Sequence, residues 1–350
     1  MRVAVYSISK NEEQFVKRWI ASAKDADLIL LADTGSTDNT VSLAKECGAE
    51  VIEIKVDPWR FDVARNKSLE AIPEDFDYCI ALDIDEVLLP GWREELERMH
   101  EQGVMRVRYQ YTWSWKEDGT PGLQYGGDKI HTRKDYVWRH PVHEVLHSTK
   151  PEVQGWCGLE IHHFPDNTKS RSSYLPLLEL SVEEDPDDDR NAFYFARELF
   201  FYNQWERAAA EFRRHLALPR AVWAPERARS MRYLAIIEED QREQWLLKAC
   251  AECPERREGW VELSLYHYMR EEWEPTLAAA KRALSITDKP LEYLCEEFAW
   301  GSDPYDLAAV ACHHLGLKSR AIAYGEEAIK FAPEDERLIA NLALYRASNK

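Results

Sequence analysis

Basic charge is in short supply: 45 Lys and Arg stand against 63 Asp and Glu, a formal net charge of −18. That balance disfavours extensive contact with a DNA or RNA backbone, because such contact depends on cations neutralising phosphates; only a local basic groove is left open. Long apolar runs are also missing, and none approaches the ~20 residues of a membrane-spanning helix. The opening residues, MRVAVYSISKNEE, hold no long apolar h-region and read as a first strand, not a signal peptide. Cysteine is sparse and irregular, seven in 350 residues, which excludes a disulfide framework and makes a reducing cytoplasm the expected home. Cys250 and Cys253 form a CxxC, but no second pair accompanies it. It falls inside a helical pattern, where packing accounts for it better than zinc or redox chemistry.

What is present is the composition of a globular protein, 45% apolar and 31% charged, with a length that suggests two domains. The first hundred residues alternate strand and helix. Apolar strands are expected at Arg2–Ile8, Asp27–Ala32, Glu50–Lys55 and Asp77–Leu82. Amphipathic helices are expected at Asn11–Ala23, Thr40–Cys47 and Phe61–Ile72. This order implies a mostly parallel sheet with right-handed crossovers, and the loops after the first, second and fourth strands should converge on one edge. The fourth strand matters most. Its apolar run, Tyr78 to Leu82, stops at Asp83-Ile84-Asp85-Glu86. Ligands of open α/β sheets bind outside the carboxyl ends of strands, and carboxylates there suit a divalent ion shared with phosphate oxygens. On a continuous strand, Asp83 and Asp85 would face the same side.

From Gly103 onward the pattern changes. Val104–Trp115 alternates and is rich in β-formers, and Tyr125–Thr132, Tyr136–Arg139 and Val153–His162 follow as antiparallel additions. The second half is helical and repeats. Ala196, Ser230 and Ser264 lie 34 residues apart, as do Ala208, Arg242 and Thr276, and His215, Ala249 and Ala283. After a slip of eleven residues, Ala309, Ala321 and Ala328 restore the internal spacing, and Pro254 and Pro333 close two units. That is the tetratricopeptide pattern, in which small residues let paired helices cross closely. The slip falls in Lys289–Asp303 and reads as an added turn of helix. Glu183–Asp189 is an acidic linker, and Asp335–Ala347 a capping helix. Most of the array's tryptophans, such as Trp205 and Trp260, should pack between helices, and exposed ones should meet an acceptor.

The series SISKNEE (7–13), LADTGSTDNT (31–40), FDVARN (61–66) and ALDIDE (81–86) resembles glycosyltransferase family 2, with its Rossmann-like GT-A fold. KIHTRKDYVWRHPVHEVLH (129–147) and HHFPDNTKSRSSYLPLL (162–178) are similar to the branch of that family with an appended tetratricopeptide domain, as in the bacteriocin S-glycosyltransferases. The resemblance implies an α/β GT-A domain over 1–180 and an all-α repeat domain over 189–350. It implies inverting transfer of a sugar from a nucleotide donor, a UDP-sugar by default, with Mn²⁺ or Mg²⁺. Ser7, Asn11 and Asp33 would meet the base or ribose. Asp33 also has a simpler reading as a turn residue capping its own helix. Arg65 would pair with phosphate or lock the acidic cluster. Asp83 would contact ribose or metal, Asp85 would bind the metal, and His163 or His162 would complete its shell. Glu144 would be the general base, with Asp128 or Glu86 as alternatives.

Two other classes compete. His143-Glu144-Val145-Leu146-His147 matches the HExxH zinc-hydrolase motif, which requires a helix; Pro141, Pro151 and the β-formers between them favour extended structure. A tetratricopeptide scaffold with a vestigial nucleotide site is the other, though it would be expected to have lost the acidic pair. The acceptor expected is a peptide, protein or glycan, with a modified nucleic-acid base disfavoured by charge. The array would select the acceptor or form a homo-oligomer.

Overall fold

In the computed structural model, which describes residues 1–166 and 174–347, the chain divides into two compact units, Met1–Glu184 and Asp185–Lys350. In the first, β1 (Val3–Ser9), α1 (Glu13–Ser22), β2 (Leu28–Asp33), α2 (Thr40–Glu46), β3 (Glu50–Glu53), α3 (Phe61–Glu70) and β4 (Tyr78–Ala81) follow the expected alternation. There follow β5 (Glu86–Leu88), α4 (Trp92–Glu101), β6 (Arg106–Thr112), β7 (Gln124–Thr132), β8 (Tyr136–Arg139), β9 (Val145–Ser148), β10 (Gln154–His163) and α5 (Tyr174–Glu184). Eight strands form one sheet in the order β3-β2-β1-β4-β7-β6-β10-β5, and β8 and β9 form a separate hairpin. The first four strands are parallel. The later ones are not all antiparallel, as expected: β10 lies parallel to β6, because it returns on the far side after the β8–β9 excursion.

Alternation along the strands divides the core in two. Val3, Val5, Leu31, Tyr78 and Ile80 face α1 and α4, meeting Trp19, Ile20, Trp92 and Leu96. Ala4, Tyr6, Leu30, Cys79 and Ala81 face the other way, onto Leu69 and Ile72 and onto Tyr136, Trp138 and Leu146 of the hairpin. Trp19 is fully buried, and its indole N–H donates to Leu82 O at 3.0 Å, so α1 is fastened to the end of β4. Truncating such a residue to Ala costs about 3–5 kcal/mol.

The second unit is an array of helical hairpins. α6 (Asp189–Phe201) pairs with α7 (Trp205–Ala217), α8 (Ala224–Ile237) with α9 (Arg242–Glu252), and α10 (Arg257–Met269) with α11 (Trp273–Leu284). The four-residue α12 (Glu297–Trp300) precedes the pair α13 (Asp303–His314) and α14 (Lys318–Phe331), and α15 (Glu336–Ala347) caps the end. Ala196, Ser230, Ser264 and Ala309 are all fully buried on the first helices of the pairs. Ala208, Thr276 and Ala321 are the matching fully buried residues on three second helices. In the remaining pair Arg242 begins α9 after a short 3₁₀ turn, Glu239–Gln241, so the repeat's small position becomes a helix start. The insertion carries the expected added turn of helix as α12, Glu297–Trp300, but 286–296 before it are irregular.

Candidate functional site

The site is built where β4 ends. The strand stops at Ala81, and Asp83–Glu86 closes a turn in which the Glu86 N–H donates to Asp83 O at 2.8 Å. The Glu86 carboxylate folds back to accept the Asp83 N–H at 2.8 Å. The two aspartates therefore do not share a strand face, as the sequence spacing suggested; the turn sends them to different partners. Asp83 is gripped on both oxygens, by Arg65 Nη2 at 2.7 Å and Lys129 Nζ at 2.7 Å. Asp85 turns instead to His163, whose Nε2 lies 3.2 Å from Asp85 Oδ2.

Register explains why His163 is there. β5 pairs antiparallel with β10, placing His163 opposite Glu86, and the Phe164 N–H donates to Asp85 O at 2.9 Å. His162 points to the other face, toward Glu160 and Trp115. The His163 ring is nearly buried and stacks on Trp113, centroids 4.4 Å apart. Its Nδ1 lies 3.0 Å from Trp113 O and its Nε2 3.2 Å from Asp85 Oδ2, so the ring is held between a backbone carbonyl and a carboxylate. Burial opposes charge on this imidazole, but the hydrogen bond and charge of Asp85 outweigh it and raise the His163 pKa.

Arg65 is the hinge of the cluster. It is nearly buried on α3, lies 5.0 Å above the Trp138 ring, and joins Asp83 through Nη2 and Glu144 through Nε. Its remaining nitrogen, Nη1, is buried with no partner. The next residue, Asn66, locks the hairpin to α3: its side-chain NH₂ donates to Trp138 O at 2.9 Å and its oxygen accepts the Trp138 N–H at 2.8 Å. Trp138 in turn donates to Tyr6 O–H at 2.9 Å, and Tyr6 meets His131 at 3.1 Å. Burial pushes the His131 pKa down to about 3, so this ring is a neutral strut.

Lys129, on β7, was not singled out by the sequence. It sits between Asp83 and Glu86, 2.8 Å from Glu86 Oε1, which also accepts the Tyr111 hydroxyl at 2.7 Å. Burial drives the Glu86 pKa up despite Lys129. Burial works against the charged form of Asp83 as well, but Arg65 and Lys129 hold its carboxyl well below the usual carboxylate range. Glu86 is thus an internal brace, 1% exposed. Asp128, the other alternative base, pairs with a different arginine, Arg106, at 3.5 Å. Glu144 keeps a partly open carboxylate, 11% exposed, beside Arg65.

The loops after β1 and β2 meet beside this cluster's strand ends. Asn11 adopts a left-handed φ of 55°, and its side-chain oxygen accepts the Thr37 N–H at 2.7 Å. Ser36 Oγ accepts the Asn11 N–H at 2.9 Å, Thr40 Oγ1 the Glu12 N–H at 2.7 Å, and Glu13 the Asn39 N–H at 2.9 Å. Asp33 closes its own turn, accepting the N–H groups of Gly35 and Ser36 at 2.9 Å each. Ser7 is fully buried within β1, its hydroxyl 3.2 Å from Ile8 O. Ser9, one pleat further along the same face, has a buried hydroxyl with no partner.

The HExxH match is not helical. His143 has a left-handed φ of 49°, and Val145–Ser148 is strand β9, paired with β8. The geometry that places both histidines on one helix face does not exist here. The motif around 162–178 lies partly outside the described residues, at 167–173.

Acidic and cationic side chains thus gather at the carboxyl ends of the strands, where open α/β sheets bind their ligands. Residues 5–149 match the model of Glycosyl transferase family 2. Residues 5–149 of the N-terminal unit are thus a stretch of glycosyltransferase family 2 type, and the array that follows is of tetratricopeptide type. An uncharacterized glycosyltransferase of Rickettsia typhi is 35% identical over 97 residues, 27% of this chain and 32% of that protein. A TPR repeat-containing protein of Synechococcus elongatus is 27% identical over 151 residues, 41% of this chain and 35% of that protein. The chain thus spans about a third of the length of the curated relatives it matches. Among solved structures, glucosyl-3-phosphoglycerate synthase of Mycobacterium tuberculosis, in complex with Mn²⁺, uridine diphosphate and phosphoglyceric acid, is 25% identical. It covers 31% of this chain and 43% of its own, with a TM-score of 0.28. No helix among the described residues is long and apolar enough to cross a membrane.

Proposed function

We propose that this chain is a metal-dependent inverting glycosyltransferase that moves a sugar from a nucleotide-sugar donor, a UDP-sugar in the first instance, to a peptide, protein or glycan acceptor. The observation that carries the proposal is the facing pair Asp85 and His163. A carboxylate oxygen and an imidazole nitrogen lie 3.2 Å apart, and the imidazole is held from behind by a backbone carbonyl. That donor set fits Mn²⁺ or Mg²⁺ with phosphate oxygens and water completing the shell. When bound there, the ion offsets the charge that develops on the leaving diphosphate.

The chain's own groups divide the remaining work. Asp83, already neutralised by Arg65 and Lys129, stands as a counter-charge that keeps both cations in place. Arg65, whose Nη1 is buried, works through the two carboxylates it holds, Asp83 and Glu144. Asn11, Asp33 and the small hydroxyl residues at the ends of β1 and β2 frame the base and ribose end. Glu144 takes the acceptor proton as general base, positioned by Arg65 Nε. An inverting displacement needs one base and no protein nucleophile. A scaffold with a decayed site would have no need of this charge-balanced network. The helical array selects the acceptor.

The test is a thermal-shift titration of the intact protein with UDP in the presence and absence of Mn²⁺. At a hundredfold excess over Kd, ligand adds about 2.7 kcal/mol of stability. Asp85→Asn should remove the Mn²⁺-dependent part of that shift while leaving the unliganded transition near the wild-type value, and His163→Gln should weaken it. An Asp85→Asn variant that responds to Mn²⁺ and UDP like the wild type would remove the metal assignment.

A further inference from the structure

β7 pairs with β4 only over its last residues, Ile130–Thr132, so its first half, Gln124–Gly127, continues beside β6 past the end of β4. Lys129 of the same strand holds Asp83 at 2.7 Å, which leaves Gly126 about 10 Å along the strand from the acidic turn. Register fixes which side chains share one face of β6, β7 and β10. Arg108 stands opposite Trp156, Gln110 between Gly126 and Glu160, and Thr112 between Gln124 and His162. Arg106, two residues before Arg108 on the same face, donates to Leu146 O at 2.7 Å in β9, the strand that follows Glu144.

Trp156 reaches across this face from β10 over β6 to β7. A Cβ on Gly126 would stand 3.0 Å from Trp156 Cζ3 and 3.3 Å from Arg108 Nη2, so glycine at this position admits the ring and the guanidinium together. The ring is seated against the Gly126 backbone, yet 52% of Trp156 stays exposed. A single exposed aromatic residue is ordinary on a protein surface; a strand cleared of its side chain to seat one is not. Arg108 is the second unusual group. In a chain with 63 acidic and 45 basic residues it meets no carboxylate among the described residues, and its Nε is buried without a partner. Further along the row, Gln124 Nε2 donates to Thr112 Oγ1 at 2.9 Å, and His162 lies 3.4 Å from Glu160 and edge-on to Trp115, centroids 4.8 Å apart. Aromatic rings thus stand at both ends of a row of guanidinium, amide, carboxylate and imidazole groups.

The chemistry of the row selects its occupant. No aliphatic side chain enters it, and Arg108 and Glu160 give it one charge of each sign. Peptides are anchored by apolar pockets or by clustered charge of one sign, and the row offers neither. A sugar ring has an apolar C–H face that suits an aromatic ring, and a rim of hydroxyls that suits planar groups able to make two hydrogen bonds. We propose that this face of β6, β7 and β10 is a glycan-binding track, with a sugar ring on Trp156, its hydroxyls on Arg108, Gln110 and Glu160, and the acceptor end directed toward Glu144. The inference rests on the sugar-transfer reading for the use made of the bound glycan, not for its binding. The array then selects the molecule that bears the glycan.

Calorimetry on the intact protein, with UDP and Mn²⁺ present, tests the track. The probes are neutral hexasaccharides of glucose, galactose, mannose and N-acetylglucosamine, with dephosphorylated casein as an unfolded polypeptide. At least one hexasaccharide should bind the wild type. Trp156→Ala and Arg108→Gln should each weaken it about tenfold or more, and Trp156→Phe should keep the affinity within about threefold, since it retains an aromatic ring. Trp156 is half exposed, so its variants should keep the wild-type melt, and all three should keep the thermal shift with UDP and Mn²⁺. Hexasaccharide binding indifferent to Trp156→Ala, capture of casein through Trp156 in place of sugar, or a panel that fails entirely overturns the inference. A hexasaccharide bound through Trp156 by a protein that shows no shift with UDP and Mn²⁺ would leave the track standing and remove the sugar-transfer reading instead.

Discussion

Replacing Lys129 with Met tests whether one cation keeps the acidic turn folded. The methionine fills similar space but leaves Glu86, 1% exposed, with only the Tyr111 hydroxyl and the Asp83 N–H. Asp83 retains Arg65 alone. Removing one partner of a buried pair costs about 3–5 kcal/mol. For a unit of this size, that lowers the transition by about 2–4 °C per kcal/mol. The pH dependence follows from the directions of the two shifts. Glu86 has a raised folded pKa, so its charged form is a penalty that appears as pH rises above its ordinary value. Asp83 has a depressed one, so its pairing contributes stability above its ordinary value and loses it as pH falls. Loss of Lys129 worsens both at neutral pH and neither once the carboxyls are protonated in both states. The Glu86 part of the deficit should therefore be largest at pH 7–8 and shrink toward pH 4, while the Asp83 part persists there because its folded carboxyl is held well below that range. Guanidinium unfolding of the wild type and Lys129→Met at several pH values, with the first unit's transition followed separately, measures it. Adding Glu86→Gln should recover part of the loss. A deficit below about 1 kcal/mol, or one indifferent to pH, would refute the reasoning, because that is what an exposed ion pair gives.

Glu144→Gln should preserve UDP and Mn²⁺ binding and the melting transition while lowering transfer by about a hundredfold or more, as expected of a general base; turnover within a few-fold of wild type would move the role to another group. His163 has a raised pKa, so protons should compete with Mn²⁺ there, and metal-dependent UDP binding should weaken as pH falls; calorimetry that finds it flat across pH 5–8 would count against His163 as a ligand. In the array, burial pushes the Glu226 carboxyl up to about 7, with Tyr293, Arg190 and Arg197 pulling down and Asp189 pushing up. The folded form holds that proton more tightly, so stability should be fullest near pH 4.5 and decline as pH rises through about 7. Glu226→Gln should flatten that slope in a melting series, and a variant with the wild-type slope would assign it elsewhere.

The βαβαβαβ half of the sheet was legible because its strands are short apolar runs and its helices carry one apolar face. β5 was not, because Glu86-Val87-Leu88 is too short to alternate and becomes a strand only by pairing with β10. The residue types of the site were legible as motifs, but their directions were not. Asp83 and Asp85 part company because a turn, invisible to a period-two count, intervenes. Lys129 is 43 residues from Glu86, and no local pattern links them. The insert Leu291–Gly301 contains good helix formers, so local propensity favoured a helix; Tyr293, Glu292 and Glu296 find tertiary partners that hold most of it irregular. The small-residue repeat was plain, because close helix crossings demand it unit after unit.

The stitching between the loops after β1 and β2 has a kinetic corollary. Asn11, Glu13, Ser36, Thr37 and Thr40 tie each loop to the other through backbone N–H groups, so the rim has little conformational freedom to surrender to a ligand, such as the proposed nucleotide. Immobilising a side chain costs about 0.5–1.5 kcal/mol, and here much of that is settled during folding. A rim of this kind should accept its ligand in one step, at a rate linear in ligand concentration, without the saturating phase that a loop-ordering step introduces. Asn11→Ala, which frees the Thr37 N–H, is the change that would slow association before it altered any contact with the bound molecule.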